Sequence, residues 1–346
     1  MNEYFRTENT GLLEKLPSLL SCEQRKLALY SKDIYFREAW WDLCEKWGEP
    51  FRIEQKFWRL APIIFKPEAV LSGQIRMGLD LIAGLPLKPI FARAVRYDRH
   101  KIRAAWQYQI NKATPERLSA MDAILQASEA VYVLLIAEEE FAMDVPAIVE
   151  ICDLKGPAAP KDRRDFHLRS KFDLQDNLVN FFHSVDEPAD VIREIGVLFD
   201  SKERRAMLDR VESEESCFDE LVVLVNQVLA RNPKSDLDLS NAVARVMEQV
   251  DIHFQRRKAS QPAEDRGIRS DLERIANGAR GVWPQLSTKL KNEGVSYDPL
   301  DGVTIACLST VMHIEGERAI LSSNNIEAWQ EADKRQEIRR LNLEFY

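Results

Sequence analysis

Apolar positions recur at helical spacing between residues 11 and 47, with aromatics gathered at Tyr30, Tyr35, Phe36, Trp40, Trp41 and Trp47 before Gly48 and Pro50 close the run. This helical leader must pack on the next domain or on another subunit; a nucleobase platform is the alternative use of such rings. From Phe57 the texture changes. The run 57–65 (FWRLAPIIF) predicts a strand, followed by a Lys-Pro turn and a helix from about Ser72 to Ala83. Residues 88–97 predict a second strand, and 101–127 a helical pattern broken near Thr114-Pro115. The run 130–137 (AVYVLLIA) is apolar throughout and predicts a buried strand. A loop rich in Pro, Lys, Arg and Asp spans 154–171; NLVNFFHS then predicts a short last strand, and Pro188 to Phe199 a closing helix with proline at its start. This alternation predicts an α+β sandwich of the ferredoxin-like type. After Phe199 the strands stop. Helical patterns are expected over 202–231, 240–256, 270–291 and 301–340, with RRKASQPAEDRG as a linker. No internal repeat interrupts the series.

Length and composition refine this picture. The 346 residues are 45% hydrophobic and 30% charged, enough for a sizeable core and roughly two domains. A net charge of -8 gives no global field favouring nucleic acid or an anionic membrane. Any polyanion must therefore meet a local basic pocket. Five scattered cysteines form no metal-spaced cluster and read as reduced thiols. With no apolar run of about 18 residues and no secretory pattern at the start, a cytoplasmic protein is expected.

Two segments over a hundred residues apart carry the chemistry. The first is Ile63-Ile64-Phe65-Lys66-Pro67-Glu68-Ala69-Val70, followed by Ser72-Gly73-Gln74-Ile75. The second is Asn180-Phe181-Phe182-His183-Ser184-Val185-Asp186, with Glu194 eleven residues after His183. Between them lie AVYVLLIAEE and Leu154-Lys155-Gly156-Pro157. Together, in this order, they resemble the nucleoside diphosphate kinase family over about residues 57–200. The first looks like that family's first strand and KPD turn, with Glu68 for the aspartate; the second resembles its NxxHGSD motif, with Ser184 and Val185 for Gly and Ser.

The resemblance implies an NDP-kinase-type βαββαβ domain at 57–200, flanked by a helical extension at 1–56 and an all-α domain at 201–346. It implies transfer of a γ-phosphate from a nucleoside triphosphate to a diphosphate through a phosphohistidine. Imidazole suits that task because it is a neutral nucleophile near pH 7. His183 would be the nucleophile and Glu194 its orienter, with Lys66, Arg169 and Asn180 clamping the nucleotide. Arg169 lies one residue further from His183 than the family pattern, so Arg164 is a second candidate. Magnesium is expected to arrive on the nucleotide phosphates, with no metal site of the protein's own. A homo-oligomer is expected. The chain departs from the family at Ser72 and near Cys152, where arginines are usual, and near Ala158, where a threonine is usual. No base-stacking aromatic stands at Leu118 or Ser119, although Trp106 and Tyr108 are nearby. These departures keep open a second reading: a catalytically weak nucleotide-binding or interaction module with helical partner-binding domains. Elsewhere, His313 and Glu317 would share a helical face as half a metal site at best or, more simply, a surface pair. The GxxxxGK[ST] phosphate loop is absent.

Overall fold

The computed structural model describes residues 18–138, 144–172, 178–256, 262–321, 323 and 326–332. The start of the predicted leader, the centre of the predicted linker and the helical pattern beyond 332 lie outside them. The fold is α+β, mostly helical, around one small antiparallel sheet.

The leader forms α1 (Gln24–Tyr30), α2 (Ile34–Trp47) and α3 (Pro50–Arg59). Asp33 caps α2 by accepting from the backbone N–H of Tyr35 and Phe36, and Pro50 opens α3 where its missing N–H costs nothing. α3 is a correction to the sequence expectation. Phe57–Arg59 are the last turn of a helix that buries Ile53 and Phe57 four residues apart, and the strand begins only where Leu60 meets Ile136.

The sheet consists of β1 (Leu60–Phe65), β2 (Leu87–Val95), β3 (Ala130–Ala137) and β4 (Phe182–His183), in the order β2-β3-β1-β4. Every neighbouring pair is antiparallel. β1 and β2 therefore run parallel to each other with β3 inserted between them, a split βαβ arrangement. β1 and β3 are buried at every position, which explains runs without polar alternation. The connections are α4 (Pro67–Leu71) and α5 (Ile75–Ala83), then α6 (Arg99–Ala105) and α7 (Pro115–Gln126), then α8 (Ala147–Lys155) before β4. Thr114 caps α7 by accepting from Arg117 N–H, which fixes the predicted break. α9 (Pro188–Leu198) follows β4 and is buried along its whole length.

The leader's rings are used inside the chain. Phe36 and Trp40 stack 6.0 Å apart and are fully buried, and α2 lies so close on α9 that a Cβ at Gly196 would sit 2.1 Å from Tyr35 O.

The C-terminal part differs from its predicted layout. Residues 202–231 are two helices, α10 (Ser201–Ser213) and α11 (Phe218–Arg231), separated by Glu214 in left-handed backbone (φ 50°). α12 (Leu239–Arg256) precedes α13 (Pro262–Ala276), so part of the predicted linker is helical. α14 (Trp283–Glu293) and α15 (Pro299–Leu308) complete a bundle with its own core, which includes Val246, Leu272, Leu286 and Ile305. α10 and α11 belong instead to the sheet's core through Met207, Leu208, Leu221 and Val225. After α15 no helix follows as far as 321; the chain runs back along the α6–α7 connection. His313 and Glu317 therefore share no helical face, and His313 sits in a β-bridge with Ala113. Among the described residues, no group of three His, Cys, Asp or Glu side chains could hold a metal ion, and no helix is long and apolar enough to cross a membrane.

Candidate functional site

His183 ends the two-residue β4, paired with Ile64 next to the C-terminal end of β1. Its Nε2 lies 2.7 Å from Glu194 Oε1, and the carboxylate is buried on α9 while the ring keeps 19% of its surface exposed. A carboxylate can only accept, so the Nε2 nitrogen carries the proton and Nδ1 is left with its lone pair. The Trp106 ring stands edge-on to the imidazole at 5.1 Å. Just before β4, Phe181 takes φ 59°, and Phe182 N–H donates to Asn180 O at 2.7 Å, closing a three-residue turn. A bulky residue held in left-handed backbone stores about 1–3 kcal/mol beside the histidine. Lys66 N–H, donating to Phe181 O at 2.8 Å, helps to hold it there.

His183 lines a cleft of about 900 Å³, and so do Glu194, Lys66, Arg169 and Asn180. The structure thus brings five of the six predicted site residues together. Arg164 is the exception: it is exposed, does not line the cleft, and its backbone N–H donates to His167 Nδ1 at 2.8 Å. The loop that brings Arg169 inward turns at Gly156, where φ is 80° and a Cβ would strike the His167 ring at 2.4 Å.

Both clamp cations are engaged with the protein. Lys66 Nζ donates to Leu178 O at 3.1 Å and forms an ion pair with fully buried Glu68. Arg169 donates to Gly156 O (2.7 Å), Phe182 O (2.6 Å) and Asn180 Oδ1 (3.3 Å), while its Nε is buried without a partner. Burial, reinforced by nearby Arg163, pushes the Arg169 guanidinium down to about 10.

The cleft is lined by further cations beside Lys66 and Arg169. Near Cys152, where the resemblance leads one to expect arginine, the next turn of α8 supplies Lys155, whose Nζ donates to Ser184 O at 2.8 Å and to Cys152 Sγ at 3.4 Å. Arg117 on α7 is half-buried with an unpartnered Nε, and Lys112 lies beside it on the lining. Ala158 lines the cleft; Ser72 instead closes α4 by donating to Glu68 O at 2.8 Å. No local signal marks Arg117, which reaches the cleft lining only through the packing of α7, and Trp106, out of register as a base-stacking ring, meets His183 through the same kind of packing between separate elements.

No protein-family model matches the chain, and no curated protein does. Among solved structures, it is similar to the apo nucleoside diphosphate kinase of Encephalitozoon cuniculi at 15% identity and TM-score 0.34, over 40% of this chain and 87% of that one. It is similar to the Aquifex aeolicus nucleoside diphosphate kinase at 20% identity and TM-score 0.32, over 42% and 97% of the two chains. The Halobacterium salinarum enzyme, solved in complex with CDP, gives 19% identity and TM-score 0.33, over 42% and 89%.

Proposed function

We propose that the cleft moves the γ-phosphate of a nucleoside triphosphate to a nucleoside diphosphate through His183. The observation that carries this is the buried Glu194 carboxylate on Nε2, which leaves Nδ1 as the nucleophile in a cleft lined by Lys66, Arg169, Arg117 and Lys155. Nδ1 attacks the γ-phosphorus, the bond to the β–γ bridging oxygen breaks, and the diphosphate leaves with that electron pair. Attack by an acceptor diphosphate's terminal oxygen on the phosphohistidine then returns the imidazole. Glu194 offsets the positive charge that develops on the ring, and the cations meet the charge spread over the migrating group. The unpartnered Nε atoms of Arg169 and Arg117 support an anionic ligand, since buried guanidinium N–H groups ordinarily find acceptors. Magnesium, when bound, would shield phosphate charge from its place on the nucleotide. In this reading residues 57–200 form the transfer unit, with 1–56 and 201–346 as its helical flanks.

Incubation with γ-labelled ATP and magnesium should leave acid-labile, alkali-stable label on the wild-type protein and none on His183→Ala. An unlabelled, well-folded wild type would sink the reading. One observation favours a second reading, a nucleotide-binding module with little turnover: Lys66 and Arg169 already have protein partners that a phosphate must displace. A nucleotide-dependent rise in melting temperature without label would select it.

A further inference from the structure

Part of the cleft is built by the far end of the chain. After α15, residues 309–321 run back along the connection between α6 and α7. Ile314 N–H donates to Lys112 O at 2.8 Å, Ile320 N–H to Tyr108 O at 2.9 Å, and Asn111 Nδ2 to Arg318 O at 2.6 Å. The Thr114 hydroxyl donates to Val311 O, and Leu321 is buried in the sheet's core. This strap is therefore docked on the very connection that presents Trp106 to His183. Its side chains His313, Glu317 and Arg318 are left exposed, and they line the same cleft as the histidine.

We infer that the strap is the base-recognition wall of this cleft and that it selects guanine nucleotides. The inference rests on reading the cleft as a nucleotide site. His183, Lys66 and Arg169 mark where phosphates would lie, and none of them carries information about a base. The strap and the segment beneath it add charges of both signs: donors from Arg318 and Lys112, and an acceptor carboxylate from Glu317. Guanine presents two acceptors, O6 and N7, that match a guanidinium fork, and two donors, N1–H and the 2-amino group, that match both oxygens of one carboxylate. Adenine, cytosine and uracil can make at most one such two-point contact with a fixed charge. The amide of Gln109, also on the lining, is the group that would suit adenine.

The test is calorimetric binding of the magnesium complexes of GDP, ADP, CDP and UDP to the full chain, wild type and His183→Ala. GDP is expected to bind roughly 5- to 150-fold more tightly than the others, the range of one good two-point contact. Arg318→Ala and Glu317→Gln, both at exposed positions, should each bring the four nucleotides together. Equal affinities in the wild type, a preference for ADP, or a GDP preference untouched by both variants overturns the assignment. Base-selective binding without label on His183 retains the strap's role and removes the transfer reaction. Label on His183 with equal binding does the reverse, and no binding of any nucleotide removes both.

Discussion

Glu68 decides how much positive charge Lys66 can offer a phosphate. It is fully buried, pairs with the Lys66 ammonium, accepts from Asn180 N–H at 3.4 Å through the same oxygen, and leaves its second oxygen without a partner. A phosphate reaching Lys66 must compete with that carboxylate. Glu68→Gln keeps the shape and removes the charge, so it should tighten ADP binding by about 1.5–3 kcal/mol, the scale of one charged hydrogen bond. Titration calorimetry on the two proteins checks this; unchanged affinity would mean that Lys66 does not touch phosphate. The same residue shows what one side chain can conceal. As a substitution in a turn motif Glu68 reads as conservative, yet one added methylene lets its carboxylate fold back on the lysine two residues before it. The pairing of His183 with Glu194 is implied in the sequence only by the family resemblance; the contact itself forms because β4 and α9 pack against each other.

At the scale of elements, α9 is set in place by buried charges from the leader. Lys26 Nζ bridges Glu187 at 3.1 Å and Asp190 at 2.8 Å, and Tyr30 OH donates to Asp190 at 2.5 Å. Arg193 Nε donates to Asp33 at 2.9 Å, with the guanidinium 5.0 Å above the Tyr108 ring. Asp190 and Glu194 are one helical turn apart, so the contacts that fix the helix's rotation also aim the carboxylate at His183. Burial pushes the Glu187 carboxyl up to about 7, against the opposing pull of Lys26. A raised folded-state value means that its contribution to stability is complete below its ordinary 4.5 and is lost as pH rises through about 7. The wild-type melting temperature should therefore fall across that window relative to Glu187→Gln, and thermal melts of both proteins over the range test it. Parallel pH profiles would exclude Glu187 as the titrating group.

Legibility followed the same division. β3 was readable because both its faces are buried and eight apolar residues leave no other use for it. β4 is two residues long and exists only through its pairing with Ile64 and Phe65. The strand expected from Phe57 starts only at Leu60, because a continuous apolar run does not mark where a helix ends and a strand begins. The strap departs from the helix its apolar spacing predicts because its conformation comes from hydrogen bonds to a segment about two hundred residues earlier.

At the scale of the whole molecule, an acidic chain keeps Lys66, Lys112, Arg117, Lys155 and Arg169 around one cleft, supplied by separate elements. The sheet's outer strand β2 has a bulge between Pro89 and Phe91, and there α10 and α11 close over it. Cys217 N–H donates to Pro89 O at 2.8 Å and Arg210 Nε to Ile90 O at 2.9 Å. A chain ending at residue 200 would lose these partners and the apolar cover of Met207, Leu208, Leu221 and Val225. It should aggregate or elute as large species on size exclusion, where the full chain runs as a discrete one. A soluble, nucleotide-binding fragment would show the cover to be dispensable.

That cover has a consequence for how copies of the protein can meet. At one end of the sheet the free edge is plugged by the chain's own helices, and at the other stands a strand too short to template another. Strand addition and fibril-like stacking need a run of open backbone groups, and at the β2 bulge two of these, Pro89 O and Ile90 O, are already taken by α10 and the start of α11. A second copy that joins the first away from this edge would leave undisturbed the hydrogen bonds that hold His183 in place.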